Sequence, residues 1–241
     1  MHWLIFLLFT QMAFADVMNL NEFSPTRLED ASPAKEHKFD FQVTSIFERN
    51  NPDDMQYRFN PRYGLSKKAQ LEASTTWFSG GGERESGRSK LGGLYMFTES
   101  DGLKPKISLI PLVVFPTGKY DQGLGLDTKF AFSWTLSGTS QKPDAEIHLN
   151  VGNIHNGKIR SNERYNQHLL GLGYSLRVLE KTAWVVDIFH EQERRKTEEQ
   201  NLFESGIEQD LGNHTFISAG FGLPLGAGPS WSGNLTFIKQ I

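Results

Sequence analysis

The sequence predicts an all-β fold: a closed, antiparallel, up-and-down transmembrane β-barrel of about twelve strands. Three observations carry the expectation. Apolar and polar residues alternate in one segment after another, the connections between segments differ in length by parity, and the 241-residue chain has no cysteine. The alternation is clearest from Gly123 to Ser137. There Leu124, Leu126, Phe130, Phe132, Trp134 and Leu136 fall on one face, with Thr128 among them. Gly125, Asp127, Lys129, Ala131, Ser133, Thr135 and Ser137 fall on the other. A period of two marks a strand, because successive side chains point to opposite sheet faces. The run exceeds the usual soluble strand of about 5–6 residues. It suits a tilted strand crossing a bilayer, which needs roughly 9–11 residues.

The chain begins MHWLIFLLFTQMAFA. Trp3 to Phe9 is an apolar core, and Ala13-Phe14-Ala15 is a small-residue cleavage site, so residues 1–15 read as a secretory signal. Export without cysteine means that no disulfide framework is expected. After this leader no run of about 18 apolar residues occurs, which excludes a transmembrane helix but not a membrane barrel, whose strands turn only alternate residues to lipid. Asp16 to His37 is polar, holds Pro25 and Pro33 and lacks a β period. It reads as a flexible N-terminal arm or a partial plug of the lumen. Residues 38–241 read as the barrel.

The strands follow in order. Phe39 to Phe47 sets Phe39, Phe41 and Val43 on one face; Met55 to Tyr63 alternates Met55, Tyr57 and Phe59; Ala69 to Trp77 alternates Ala69, Leu71, Ala73, Thr75 and Trp77. Lys90 to Thr98 alternates Leu91, Gly93, Tyr95 and Phe97. Ile107 to Phe115 is apolar on both faces and contains Pro111, where a lost ladder bond predicts a bulge. The Gly123 stretch is sixth. Asp144 to Val151, Leu170 to Val178, Trp184 to Phe189, Phe203 to Glu208, Phe216 to Leu223 and Trp231 to Phe237 complete the set. An even count suits bacterial barrels, which also have short periplasmic turns and longer outer loops. Here the even connections are GLSKK, ESDGLKP, SGTSQKPD, LEKT and LGNH; the odd ones include SGGGERESGRS, NIHNGKIRSNERYNQ and HEQERRKTEEQN. The short set lies on one side and the long charged set on the other.

The facing rule follows. Phe130, Phe132, Trp134, Tyr174, Trp184, Trp231 and Phe237 are expected to meet lipid, with aromatics forming girdles at the two interfaces. Asp127, Lys129, Glu146, His148, Arg177, Asp187, Glu204 and Glu208 lie on the opposite face as lumen-lining candidates. Opposite charges on neighbouring strands, such as Lys129 and Glu146, are expected to pair. These charges either satisfy one another in a closed, ion-paired lumen or line a solute path.

Catalytic, metal and cofactor readings fail on their motifs. Gly80-Gly81-Gly82 lacks the Lys-Ser/Thr of a phosphate loop, and His190-Glu191 lacks the second histidine of a helical zinc site. No G-x-S-x-G elbow occurs. Ser133 and His148 are neighbours on the polar face, as any such pair in a hairpin would be. No catalytic residue, metal or cofactor is assigned. A net charge of −3 gives no argument for nucleic acid. The expected partners are outer-membrane lipid, a small-molecule solute and the barrel-assembly machinery.

The segment LIPLVVFPTGKYDQGLGLD, residues 109–127, has a strand ending in Pro116-Thr117-Gly118, then Gly123 and Gly125 and an alternating strand. With Arg62-Tyr63-Gly64-Leu65-Ser66 and the later Gly171-Leu172-Gly173-Tyr174-Ser175-Leu176, it resembles the outer-membrane family named for the meta-pathway of phenol degradation. The resemblance implies an outer-membrane barrel that moves small, aromatic or hydrophobic solutes, and it brings no binding residues with it. It departs from the family in a short mature chain and a non-aromatic terminus, Ile241. Two functions stay open: a passive, porin-like channel, and a structural or surface-interaction barrel with a closed lumen.

Overall fold

A computed structural model describes residues 28–49, 54–80, 83–100, 104–117, 123–139, 143–192, 195–196, 199–226 and 230–241. The expected leader at 1–15 and the first part of the expected arm, 16–27, lie outside the described residues. Thirteen strands form one antiparallel sheet: β1 (Phe39–Glu48), β2 (Asp54–Ser66), β3 (Ala69–Gly80), β4 (Glu83–Ser86), β5 (Ser89–Thr98), β6 (Lys106–Phe115), β7 (Gly125–Gly138), β8 (Pro143–His155), β9 (Asn166–Leu179), β10 (Thr182–Gln192), β11 (Glu199–Gly212), β12 (Thr215–Pro224) and β13 (Ser232–Gln240). Each strand pairs with its sequence neighbour except β4 and β5, which both pair with β3; β13 returns to β1, so the sheet closes.

The wall has twelve positions. The short β4 pairs with the far end of β3, Trp77 to Gly80, and β5 pairs with its near part, Ala69 to Ser74, so β4 and β5 share one position. The alternation in the sequence does not mark this interruption, because the polar Glu83–Ser86 carries no apolar face. Closure gives every strand but the short β4 a neighbour on each side, which is how a sheet can cross a membrane with its backbone satisfied. Among the described residues no helix is long and apolar enough to cross.

Pro111 does not produce a bulge. Gly92 faces Leu112 and Tyr95 faces Leu109 in one unbroken register, and the pairs Gly93–Pro111 and Leu94–Ile110 between them are missing. The register shift in this pair falls between Met96 and Thr98 instead. A proline without an N–H costs a rung, but the chain need not gain a residue to absorb it.

The ends of the barrel differ in part as the parity of the loops predicts; 99–105 is a long connection at the short-turn end, and the expected long loop SGGGERESGRS is mostly strand, with only 81–82 joining β3 to β4. Residues 67–68, 180–181 and 213–214 are two-residue turns at one end, whereas 116–124, 156–165 and 225–231 connect strands at the other. Asn213 and His214 both have positive φ, 50° and 55°, the conformation that matches a tight hairpin to the twist of its strands.

The facing is inside-out relative to a soluble barrel. Asp127, Glu146 and Glu208 are 0% exposed, whereas Leu172, Ile188 and Ile207 are more than half exposed. Leu71, Leu91, Leu170, Phe203, Phe221, Leu235 and Phe237 extend this apolar outer surface around the wall. A soluble monomer rarely exposes an apolar patch beyond a few hundred Å², so a continuous belt requires hydrocarbon around it. Aromatics cluster towards both ends of the belt. Phe39 meets Tyr63 at 4.5 Å, Tyr95 meets Phe97 at 5.2 Å and Phe132 stacks on Trp134 near the short-turn end. Trp231 meets Phe47 at 5.0 Å and Phe221 at 6.0 Å near the long-loop end.

Candidate functional site

The interior is built by the inward half of every strand, and residues 28–36 of the arm lie inside it. The arm enters beside β2. His37 takes a positive φ of 60°, its N–H donates to the Gly64 carbonyl at 2.8 Å, and Glu36 makes a parallel bridge to Gly64. A Cβ at Gly64 would collide with the carbonyl oxygen of Lys35, so glycine is what lets the arm lie against β2.

From there the wall's side chains hold the arm's backbone. The Ala34 N–H donates to Gln70 Oε1 at 2.6 Å. The Ser108 hydroxyl donates to the Ala31 carbonyl, and the Ala31 N–H reaches Ser133 Oγ at 3.3 Å. Asn150 takes both groups of Glu29: its Oδ1 accepts from the N–H at 2.7 Å and its Nδ2 donates to the carbonyl at 2.8 Å. Leu28 ends the described part of the arm, packed with Leu169 and Phe189, and it occupies the space where side chains at Gly171 and Gly173 would be. Ala31 packs on an apolar patch of Leu94, Met96, Ile110, Leu112 and Ala131. Each neutral hydrogen bond contributes roughly 0.5–1.5 kcal/mol net, while ordering one residue's backbone costs roughly 1–2 kcal/mol.

The inward charges are arranged around the arm. Lys129 pairs with Glu29, which corrects the expected pairing of Lys129 with Glu146. In register Lys129 faces Gly152, whereas Glu146 faces Thr135, so the two lie too far apart along the strands. Glu146 instead meets Lys106 at 3.3 Å, and Lys106 also donates to Ser32 at 3.1 Å. Asp127 meets Lys90 at 2.6 Å and Asp40 meets Arg62 at 3.8 Å.

Of the other lumen candidates, Asp187 and Glu204 face each other across β10 and β11, and both are buried, as is Glu208. Arg177 sits at the short-turn rim. It pairs with Asp144 at 3.3 Å and donates to the carbonyls of Pro143 and Glu180, so it braces the turns at the mouth. The lumen is also less polar than the alternation suggests. Inward Leu112 and Val114 on β6, Leu169 on β9, Phe189 on β10 and Leu202 on β11 are all buried. The apolar run on both faces of Ile107 to Phe115 was the signal for one of these strips.

Ser133 and His148 do meet, at 3.0 Å, but not as a nucleophile and its base. Ser133 donates to Asp30 at 2.7 Å, so its oxygen is left to accept from His148 Nδ1. The other ring nitrogen, Nε2, meets Ser175 at 3.0 Å. The proton a nucleophile would surrender to histidine points at a carboxylate of the arm, and no acid orients the ring. The chain of bonds serves to tie Asp30 to β7, β8 and β9. Ser133→Ala is expected to cost roughly 1–3 kcal/mol by stranding buried partners, read as a lower urea midpoint of the folded, heat-modifiable form.

The arm residues Leu28, Glu29, Asp30, Ala31 and Ala34 were not singled out by the sequence. Two signs pointed to them: small residues and a proline in a polar segment, and glycines at 171 and 173 on a face that needed none for a turn.

Solved structures with this architecture include an outer membrane channel from Pseudomonas putida F1, at 13% identity and a TM-score of 0.68, covering 90% of this chain and 100% of that one. KdgM porin matches at 8% identity and 0.56, covering 82% and 98%, and NanC porin at 9% and 0.55, covering 83% and 97%. These neighbours are porins and channels, and at such identities they show the shared outer-membrane barrel fold. No curated protein sequence matches the chain. A family model whose description names the MetA-pathway of phenol degradation matches residues 57–236, most of the barrel, and the chain belongs to that family.

Proposed function

We propose that the protein is an outer-membrane channel, exported through its N-terminal leader, for passive diffusion of small solutes that include aromatic and hydrophobic ones. The observation that carries this reading is the inside-out wall: charged and hydroxyl side chains are buried within a closed barrel while leucines and phenylalanines cover its outside. Such a wall is stable only around a lumen and within lipid. The inward strips at Leu112, Leu169, Phe189 and Leu202 favour solutes with apolar surface, and the paired charges between them favour solutes that also carry a polar group. Asp127, Lys129, Glu146, His148, Asp187, Glu204 and Glu208 are the lining, and Arg177 is its rim.

A second reading has its own support. The ion pairs of Lys90 with Asp127 and Lys106 with Glu146 fit a barrel that is closed and structural. Conductance in planar bilayers separates the two. Discrete steps from purified, heat-modifiable protein are expected, together with faster entry into proteoliposomes for a phenol-sized aromatic than for a sugar. Silence from folded protein, both unaltered and with Glu29→Lys in the arm, would favour the closed barrel and end the channel reading.

A further inference from the structure

We propose that residues 28–36 are a displaceable plug, and that the inner wall of β6 to β9 with Gln70 is a binding site for this extended peptide. The inference rests on the channel reading. It starts from what the wall recognises. Asn150 satisfies both backbone groups of Glu29, Gln70 takes the Ala34 N–H, and Ser108 and Ser133 take the two backbone groups of Ala31. Side chains that capture successive main-chain groups form a peptide site, the job a neighbouring strand does in a ladder.

The site also has places for side chains. Gly171 and Gly173 form a notch for Leu28, the apolar patch around Ile110 receives Ala31, and Lys129 takes the Glu29 carboxylate. The match between arm and wall is therefore in shape, backbone and charge.

Displacement follows from how the arm is attached. Its one bridge to the sheet among the described residues is at Glu36, next to the point of entry, and the backbone of Glu29, Ala31 and Ala34 is held by side chains of the wall. The segment can leave without opening a rung of the wall. The groups it uncovers, Asn150, Ser108, Ser133 and Lys129, are ones that water can satisfy. A peptide held this way closes the lumen in one state and hinges at His37 and Gly64 in the other.

The absence of native cysteine makes the test clean. Leu28→Cys with Gly171→Cys places one thiol where the Leu28 side chain meets the notch. The oxidised double variant should stay shut in planar bilayers, and reduction should restore openings. Glu29→Lys, which sets two ammonium groups together and alters no wall residue, should raise the open probability about tenfold or more, the factor one charge-assisted hydrogen bond carries. Only heat-modifiable protein is scored. Failure of that folded protein to form the disulfide overturns the placement of the arm. A disulfide that forms while the oxidised, reduced and Glu29→Lys proteins all conduct like the unaltered chain overturns the plug and leaves the channel standing. A disulfide that forms while reduced and Glu29→Lys proteins are both silent overturns the plug and the channel together.

Discussion

Phe130→Arg is expected to destabilise the inserted barrel by roughly 2–4 kcal/mol, the cost of arginine facing hydrocarbon near the bilayer midplane. Phe130 lies midway along β7, faces Leu109 on β6 and Val151 on β8, and has 42% of its surface on the outside of the wall. An arginine there can reach neither interface without tilting its strand. Leu136 lies on the same face of the same strand but near the short-turn end, where a long side chain can extend into the headgroups. Leu136→Arg should therefore cost only about 0–1 kcal/mol. Urea titrations in lipid vesicles, read by the gel shift between folded and unfolded forms, compare the two. Equal midpoints would mean that depth does not matter, and the outer face of β7 would then not be a lipid face.

Facing was legible in the sequence because it depends on a local period. Every strand alternates on its own, so the exposed apolar set from Phe39 to Phe237 could be read residue by residue. What was hidden depends on contacts between distant parts of the chain. Lys129 was expected to find Glu146 because both lie on one hairpin; it finds Glu29, which is a hundred residues away. An arm without a period can be read as an arm or a plug, but not for which wall residues it meets. Its place shows only through the glycines and amides that it meets, and Gly171, Gly173 and Asn150 gain a reason only once Leu28 and Glu29 are beside them. The break between β4 and β5 was hidden for a related reason, since a polar extension of a hairpin and a polar loop have the same composition.

Gly92→Val is expected to abolish the folded barrel. Gly92 lies on the inner face of β5 opposite Leu112, and a Cβ there would overlap the carbonyl oxygen of Pro111 and approach the Leu112 Cα to 2.9 Å. Both obstacles are backbone of the next strand, which can yield only if β5 and β6 separate. This seam is already weakened, because Pro111 supplies no donor and the ladder lacks its rung at Gly93. The glycine lets the strands stay close and in register there, which is how the chain avoids the bulge that the proline alone would predict. Gly152 is the comparison. Its Cβ would meet the Lys129 Cγ at 3.0 Å, in a side chain that can shift, and the Thr128 carbonyl oxygen at 3.3 Å, which has to give only slightly, so Gly152→Ala should fold with a loss of about 1 kcal/mol. Heat-modifiable migration after refolding into detergent distinguishes them: near-complete loss for Gly92→Val, retention for Gly152→Ala. A fully folded Gly92→Val barrel would show that β5 and β6 do not approach at Pro111, and the closure of the wall at that seam would have to be drawn again.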